Sequence, residues 1–380
     1  MRETNFNTKT VHFQAKEPAR NASKAKPIYQ TSAFVFTDLD DMESFYEGEK
    51  EYLYSRYSNP NTDDLGKGVA LLEEADDGVA TSSGMSAILA GVLAVANPGD
   101  HVLASDDLYG GTYQMFAQEL PNFGIEVSFV SYQDLHVVKE AITDKTVLLY
   151  TESVTNPLLR VERLEEVIAL AKEKGLKTMI DNTFATPYLL QPATLGADLV
   201  VHSATKYIGG HSDVTAGVLV GEQTLIDKAK GKVINLGCNL SPFEAWLACR
   251  GLKTLSVRME RQSHNARMLA EALEAHEGVA RVFYPKFVSE KGNGAMVSVD
   301  LADDVNVEEF FRSLGWVKIA PTLAGVETTV SYPLRTSHRT IPDKLRKELG
   351  IGAQLVRISV GIEDEKDIIG AFTQAIEKAK

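Results

Sequence analysis

The stretch Asp198–Asp213, DLVVHSATKYIGGHSD, decides how the chain is read. Its apolar run, Leu199–Val201, is short and continuous, which predicts a strand buried on both faces, as in a parallel sheet. The run ends at His202, and one lysine, Lys206, follows among small, hydroxylated and glycine residues. A surface lysine needs no such setting. In an open parallel sheet, ligands bind beyond the carboxyl ends of the strands, so Lys206 is a candidate for chemistry.

Working outward, the same rhythm repeats. KTMIDNTF (177–184), TVLLYTES (146–153), EVSFV (126–130) and DHVLAS (100–105) predict further strands. Between them lie helical patterns at GMSAILAGVLAVA (84–96), YQMFAQELPNFG (113–124), VVKEAI (137–142) and VERLEEVIALAKEKG (161–175). Strands alternating with helices define an α/β class with a mostly parallel sheet covered on both faces. Past residue 240 the rhythm changes. One long helical pattern (241–276) leads into AMVSVDL, VEEFFRSLG, VKIAPT, LVRISVGI and the helix EKDIIGAFTQAIEKA, which together predict a smaller α+β unit. Residues 1–60 are polar with scattered aromatics and cannot build a core. The expected division is an arm (1–60) lying on another surface such as a neighbouring subunit, a large domain (61–240) and a C-terminal domain (241–380).

Composition narrows the function. A chain of 380 residues with 44% hydrophobic and 24% charged residues is ordinary for a soluble protein of more than one domain. A net charge of −13 excludes general binding to nucleic acid or anionic membranes. Two cysteines make no disulfide framework. The polar start lacks a signal-peptide core, and the longest apolar runs are too short to span a bilayer. A cytoplasmic protein is expected.

Three features fall at predicted strand ends and face one crevice: Asp181; Ser203, Thr205 and Lys206; and TSSGM (81–85) opening a helix. The last reads either as an anion seat built from free N–H groups, with Gly84 allowing close approach, or as an ordinary serine N-cap. A nucleophile elbow is excluded because Ile88 stands where glycine is needed. A strand-end carboxylate can hold a proton on a cationic nitrogen, and a desolvated lysine near positive charge can attack an aldehyde. Anion seat, carboxylate and lysine together are what pyridoxal 5′-phosphate requires.

At this point the sequence resembles the Cys/Met-metabolism family of pyridoxal-phosphate enzymes, of aspartate-aminotransferase fold type (PLP fold type I). The resemblance is carried by YSRYSNPN (54–61), SSGMSAI (82–88), DDLYGGTY (106–113), ESVTNPLL (152–159), DNTFATP (181–187), HSATKYIGGHSD (202–213) and VRISVGIED (356–364). It implies the following roles. Lys206 holds the cofactor and shuttles protons, and Asp181 pairs with the pyridine nitrogen. Gly84, Met85, Ser203 and Thr205 bind the phosphate. Tyr109 stacks on the ring and assists the leaving group. Tyr54 and Arg56 reach the site of a neighbouring subunit, with Tyr54 also near substrate. Arg357 clamps the substrate carboxylate beside Asn156, and Thr322 lies near the substrate. A homodimer is then the minimal catalytic unit and a homotetramer the expected assembly.

The implied activity is a carbon–sulfur lyase that eliminates the γ-substituent of cystathionine or a related thioether, giving a 2-oxo acid, ammonia and a thiol. The alternatives are γ-replacement on an O-acyl-homoserine, β-elimination, and a non-catalytic binding protein of the same shape. The chain departs from family patterns in three places. Gly111 stands where methionine γ-lyases carry cysteine, APTLAGVE (320–327) replaces AESLGG, and the segment between Pro285 and Met296 is short.

Overall fold

A computed structural model describes residues 3–15, 23–339 and 349–380, with Lys344 and Arg346 between the last two segments. The first sheet contains β1 (Asp77–Thr81), β2 (His101–Ser105), β3 (Glu126–Val130), β4 (Thr146–Glu152), β5 (Lys177–Asp181), β6 (Leu199–His202) and β7 (Gly217–Gly221). Their spatial order is β1-β7-β6-β5-β4-β2-β3. The pairings from β3 through β6 are parallel, as expected. β7 is antiparallel to both β6 and β1. Neither β1 (DGVAT) nor β7 (GVLVG) was anticipated from the sequence. Both are short and glycine-containing, a composition that weakens strand signals.

Alternation along these strands divides the core between the two faces. Met179, Leu199, Val201 and Leu219 pack with Ala87, Ile88, Gly91 and Val92 of α4 (Gly84–Val95) on one side. Ile180, Val200, Val218 and Val220 face Leu65, Val69 and Leu72 of α3 (Pro60–Glu73) on the other. The face-to-face covering explains the near-continuous apolar strands. It also places the carboxyl ends Glu152, Asp181 and His202 side by side.

The second sheet comprises β8 (Val279–Phe283), β9 (Met296–Leu301), β10 (Lys318–Ile319), β11 (Thr329–Ser331) and β12 (Leu355–Ser359), in the order β10-β11-β12-β9-β8. The helix Glu365–Ala379 covers it through Ile368, Phe372 and Ile376. The single helical pattern expected over 241–276 is two helices, Pro242–Leu252 and Leu255–Glu274. Arg258 sits at the break. It donates to the carbonyls of Gly251 (2.8 Å) and Tyr207 (2.7 Å), so one guanidinium ties the end of the first helix to the turn that carries Lys206.

The arm behaves in two ways. Its first helix, α1 (Phe6–His12), lies on its own chain: Lys9 pairs with Glu74 at 2.8 Å, and the Phe13 ring fills the space above Gly68. The next, α2 (Leu39–Tyr46), buries none of its residues. Val35 is 96% and Leu39 80% exposed. Residues 1, 2 and 16–22 of the arm lie outside the described residues.

Candidate active site

A cavity of about 610 Å³ opens at the carboxyl ends of β4, β5 and β6, and Gly84, Met85, Tyr109, Asn156, Asp181, Ser203, Thr205, Lys206 and Arg357 all line it. Most residues singled out in the sequence therefore meet in one place. Thr322 joins them as acceptor of a 3.3 Å hydrogen bond from Lys206 Nζ. Tyr54 and Arg56 do not. Arg56 donates to the Ile234 carbonyl at 3.1 Å beside a separate small cavity, and Tyr54 is 41% exposed.

The anion seat starts at α4. Ser83 is its N-cap, accepting from the Ser86 N–H at 3.1 Å. The cap reading of TSSGM is thus correct for Ser83, and it leaves the earlier Gly84 and Met85 N–H groups with no acceptor inside the helix. A Cβ at Gly84 would lie 2.8 Å from Ser203 Cβ, so only glycine lets the helix start this close to the end of β6. The Thr205 hydroxyl is engaged with the backbone of Ala216, donating to its carbonyl (3.1 Å) and accepting from its N–H (3.0 Å). Its donation to an anion requires release of that carbonyl, which the Thr205 N–H also holds.

Lys206 leaves β6 on a tight turn in which its N–H donates to the Ser203 carbonyl. Burial, and then the positive charge of Arg357, lower its amine from the ordinary range to about 8. Asp181 ends β5, and its Oδ1 accepts from the Thr183 N–H at 2.9 Å. Burial pushes its carboxyl up, against the pull of the Thr183 hydrogen bonds. A cationic nitrogen in the cavity would reverse that shift, because opposite charge favours the ionised carboxyl.

Arg357 is buried on β12. Its Nη1 donates to Asn156 Oδ1 at 2.8 Å, while its Nε has no partner among the described residues. Burial lowers this guanidinium to about 10, still far above neutral pH. A buried cation with an unused donor in a ligand-sized cavity can seat a carboxylate. Asn156 is held in turn by His338, whose Nε2 donates to the Asn156 carbonyl at 3.0 Å. His338 is neutral, since burial and Arg357 lower it to about 4.

Sequence reasoning missed Glu152. It is buried in the same cavity, is the register partner of Asp181, and its Oε1 accepts from the Tyr109 N–H at 2.6 Å. Burial and the charge of Asp181 push its carboxyl well above the usual range. Its place at the end of the predicted strand TVLLYTE was the available signal. The buried Glu73 was missed too; it accepts from His202 Nε2 (2.8 Å) and from Asn182 (2.9 Å) behind the cavity. Nothing in α3 marked it.

An α/β sheet with a lysine, an acid and a helix start around one crevice defines a pyridoxal-phosphate enzyme. The chain belongs to the Cys/Met metabolism PLP-dependent enzyme family, whose pattern it matches over residues 7–377. It is 40% identical to a cystathionine gamma-lyase of Bacillus subtilis over 97% of this chain and 98% of that one. To a cystathionine beta-lyase of Lactococcus lactis it is 39% identical over 99% and 100%. Among solved structures, a cystathionine gamma-lyase from Lactobacillus plantarum superposes with a TM-score of 0.93 at 34% identity, covering 99% of each chain. An O-acetylhomoserine (thiol)-lyase, named as putative, from Campylobacter jejuni gives 0.93 at 29% identity over 98% and 100%, and carries a pyridoxyl-lysine monophosphate. The cofactor is pyridoxal 5′-phosphate and the class is carbon–sulfur lyase chemistry on sulfur amino acids. No helix among the described residues is long and apolar enough to cross a membrane.

Proposed function

We propose that the protein cleaves cystathionine by γ-elimination, releasing cysteine, ammonia and 2-oxobutyrate. The observation that carries this reading is the pairing, in one cavity, of a Lys206 amine brought down to about 8 with a buried Arg357 whose Nε is unused among the described residues. Lys206 would hold the cofactor, Asp181 its ring nitrogen, and Gly84, Met85, Ser203 and Thr205 its phosphate. Bound pyridoxal phosphate supplies an electron sink for the charge left when the substrate α-proton departs.

The chain's own groups do the rest. Arg357 and Asn156 fix the α-carboxylate, matching its two oxygens with a planar fork. Lys206 Nζ, when free of the cofactor, would remove the α-proton. An amine near pH 8 suits both removal and return of protons, and γ-elimination needs a second transfer at the β-carbon. The Tyr109 hydroxyl donates to the leaving sulfur, and the Glu152 hydrogen bond to the Tyr109 N–H holds that residue's backbone at the cavity wall. Thr322 steadies the free amine.

β-Elimination is a second reading, favoured by the 39% identity to the Lactococcus cystathionine beta-lyase. Product analysis separates the two. Purified holoenzyme with cystathionine should release 2-oxobutyrate and cysteine. Pyruvate and homocysteine would establish β-elimination instead, and cystathionine made from O-acetylhomoserine plus cysteine would establish replacement. We further assign the protein to the cytoplasm, which its two free cysteines suit.

A further inference from the structure

A second cavity, of about 680 Å³, adjoins the first, and the two share Pro321, Arg335 and Thr336. Arg335 and Arg357 therefore face the same cofactor cavity, one exposed near the shared wall and the other buried. In the second cavity Glu308 pairs with Arg335 Nη2 at 2.8 Å, and the Tyr332 ring lies 5.7 Å from the guanidinium. Arg312 stands on the far side of Glu308 at 3.4 Å. Ser331, which lines this cavity, is 2% exposed and its hydroxyl has no partner among the described residues.

We propose that this second cavity is a subsite for the distal amino-acid end of the substrate, with Arg335 taking its carboxylate and Glu308 its ammonium. The inference rests on the reading of cystathionine as substrate. A distal amino acid is a zwitterion, and an exposed Arg–Glu pair presents the complementary charges. Exposed pairs of this kind contribute little stability, so exchanging Glu308 for a ligand carboxylate costs little. Arg335 keeps one edge of its fork free of Glu308 for that carboxylate. The thioether chain would run along Pro321, where an aliphatic wall replaces a charged one. A substrate ending in a methyl group would leave the subsite unused.

The test compares holoenzyme and Arg335→Ala by stopped-flow, reading the first change in cofactor absorbance before product forms. Three ligands are used: cystathionine, S-(2-carboxyethyl)homocysteine, which lacks the distal ammonium, and methionine. Loss of a charge-assisted contact at an exposed site should raise Kd about three- to fivefold for the first two and less than about 1.5-fold for methionine. Glu308→Gln should weaken cystathionine but not the carboxyethyl ligand. Cofactor absorbance and the methionine Kd report in the same samples that the site is intact. Equal losses for all three ligands, or none, would overturn the subsite. Failure of the lyase reading is separate: a holoenzyme that forms no 2-oxo acid from cystathionine still reports its binding.

Discussion

A lysine whose charged form is penalised by burial and by a neighbouring arginine sets its own pH dependence. Burial brings the Lys206 amine down to about 8, so the reactive neutral amine grows as pH rises through about 8 and levels about one unit above it. The rate at which apoprotein incorporates pyridoxal phosphate should follow that curve when measured by absorbance. A rate that keeps climbing to pH 10 would contradict it. The linkage has the same sign. Between about 8 and 10.5 the unfolded chain binds a proton that the folded chain does not, so this group adds stability as pH rises through that window. Below it the penalty is fully present. Lys206→Met should therefore stabilise the apoprotein at neutral pH by at most about 3 kcal/mol, read in denaturant melts, while abolishing the yellow colour of the holoenzyme. Gly111 makes a second residue-scale test. A Cβ there would lie 2.6 Å from the Tyr109 ring, so Gly111→Ala must displace that ring. We expect kcat to fall about tenfold or more and cofactor affinity to fall by less, since the displaced ring is both the proposed proton donor and the proposed stacking face. Lys206 and Asp181 were legible because each ends or follows an apolar strand. Glu152 was not singled out because its role depends on lying beside Asp181, which only strand register reveals.

At the scale of elements, what a sequence window shows is one segment's own periodicity. The parallel strands β2–β6 declare themselves because each is buried on both faces. β7 runs against them because Ser203–Ala216 turns the chain back after β6, and no pattern inside GVLVG encodes direction. The break between Pro242–Leu252 and Leu255–Glu274 is spanned by Arg258, which reaches across to the Lys206 turn. Buried carbonyls of Gly251 and Tyr207 would lose their donors in Arg258→Met. Each unsatisfied buried group costs about 1–3 kcal/mol, so thermal unfolding should shift down by several degrees. Because the same guanidinium clamps the turn next to Lys206, cofactor affinity should drop as well. Unchanged affinity in a folded variant would show that the turn holds itself.

At the scale of the molecule, the chain alone leaves apolar surface of its arm uncovered. The cofactor cavity takes its fixed cations from Lys206, Arg357 and Arg335, while Arg56 stands away from it on the Ile234 carbonyl and Tyr54 is 41% exposed. An arm with Leu39 80% and Val35 96% exposed leaves apolar surface that folding within one chain does not cover. Our reading is that a second copy covers it, which would carry Arg56 and Tyr54 of each chain to the phosphate end of the other's cavity. Charge favours this, since a dianionic phosphate at the α4 start would gain from a guanidinium. Complementation decides the matter. Arg56→Ala and Lys206→Ala are each expected to be inactive or nearly so as pure proteins. Mixed and allowed to exchange subunits, they should form dimers in which one site has both native residues. Recovery approaching a quarter of wild-type activity is expected, because about half of randomly paired dimers are mixed and each carries one complete site out of two. Absence of recovery, with exchange verified by differently tagged subunits, would place Arg56 in its own chain's chemistry or in none.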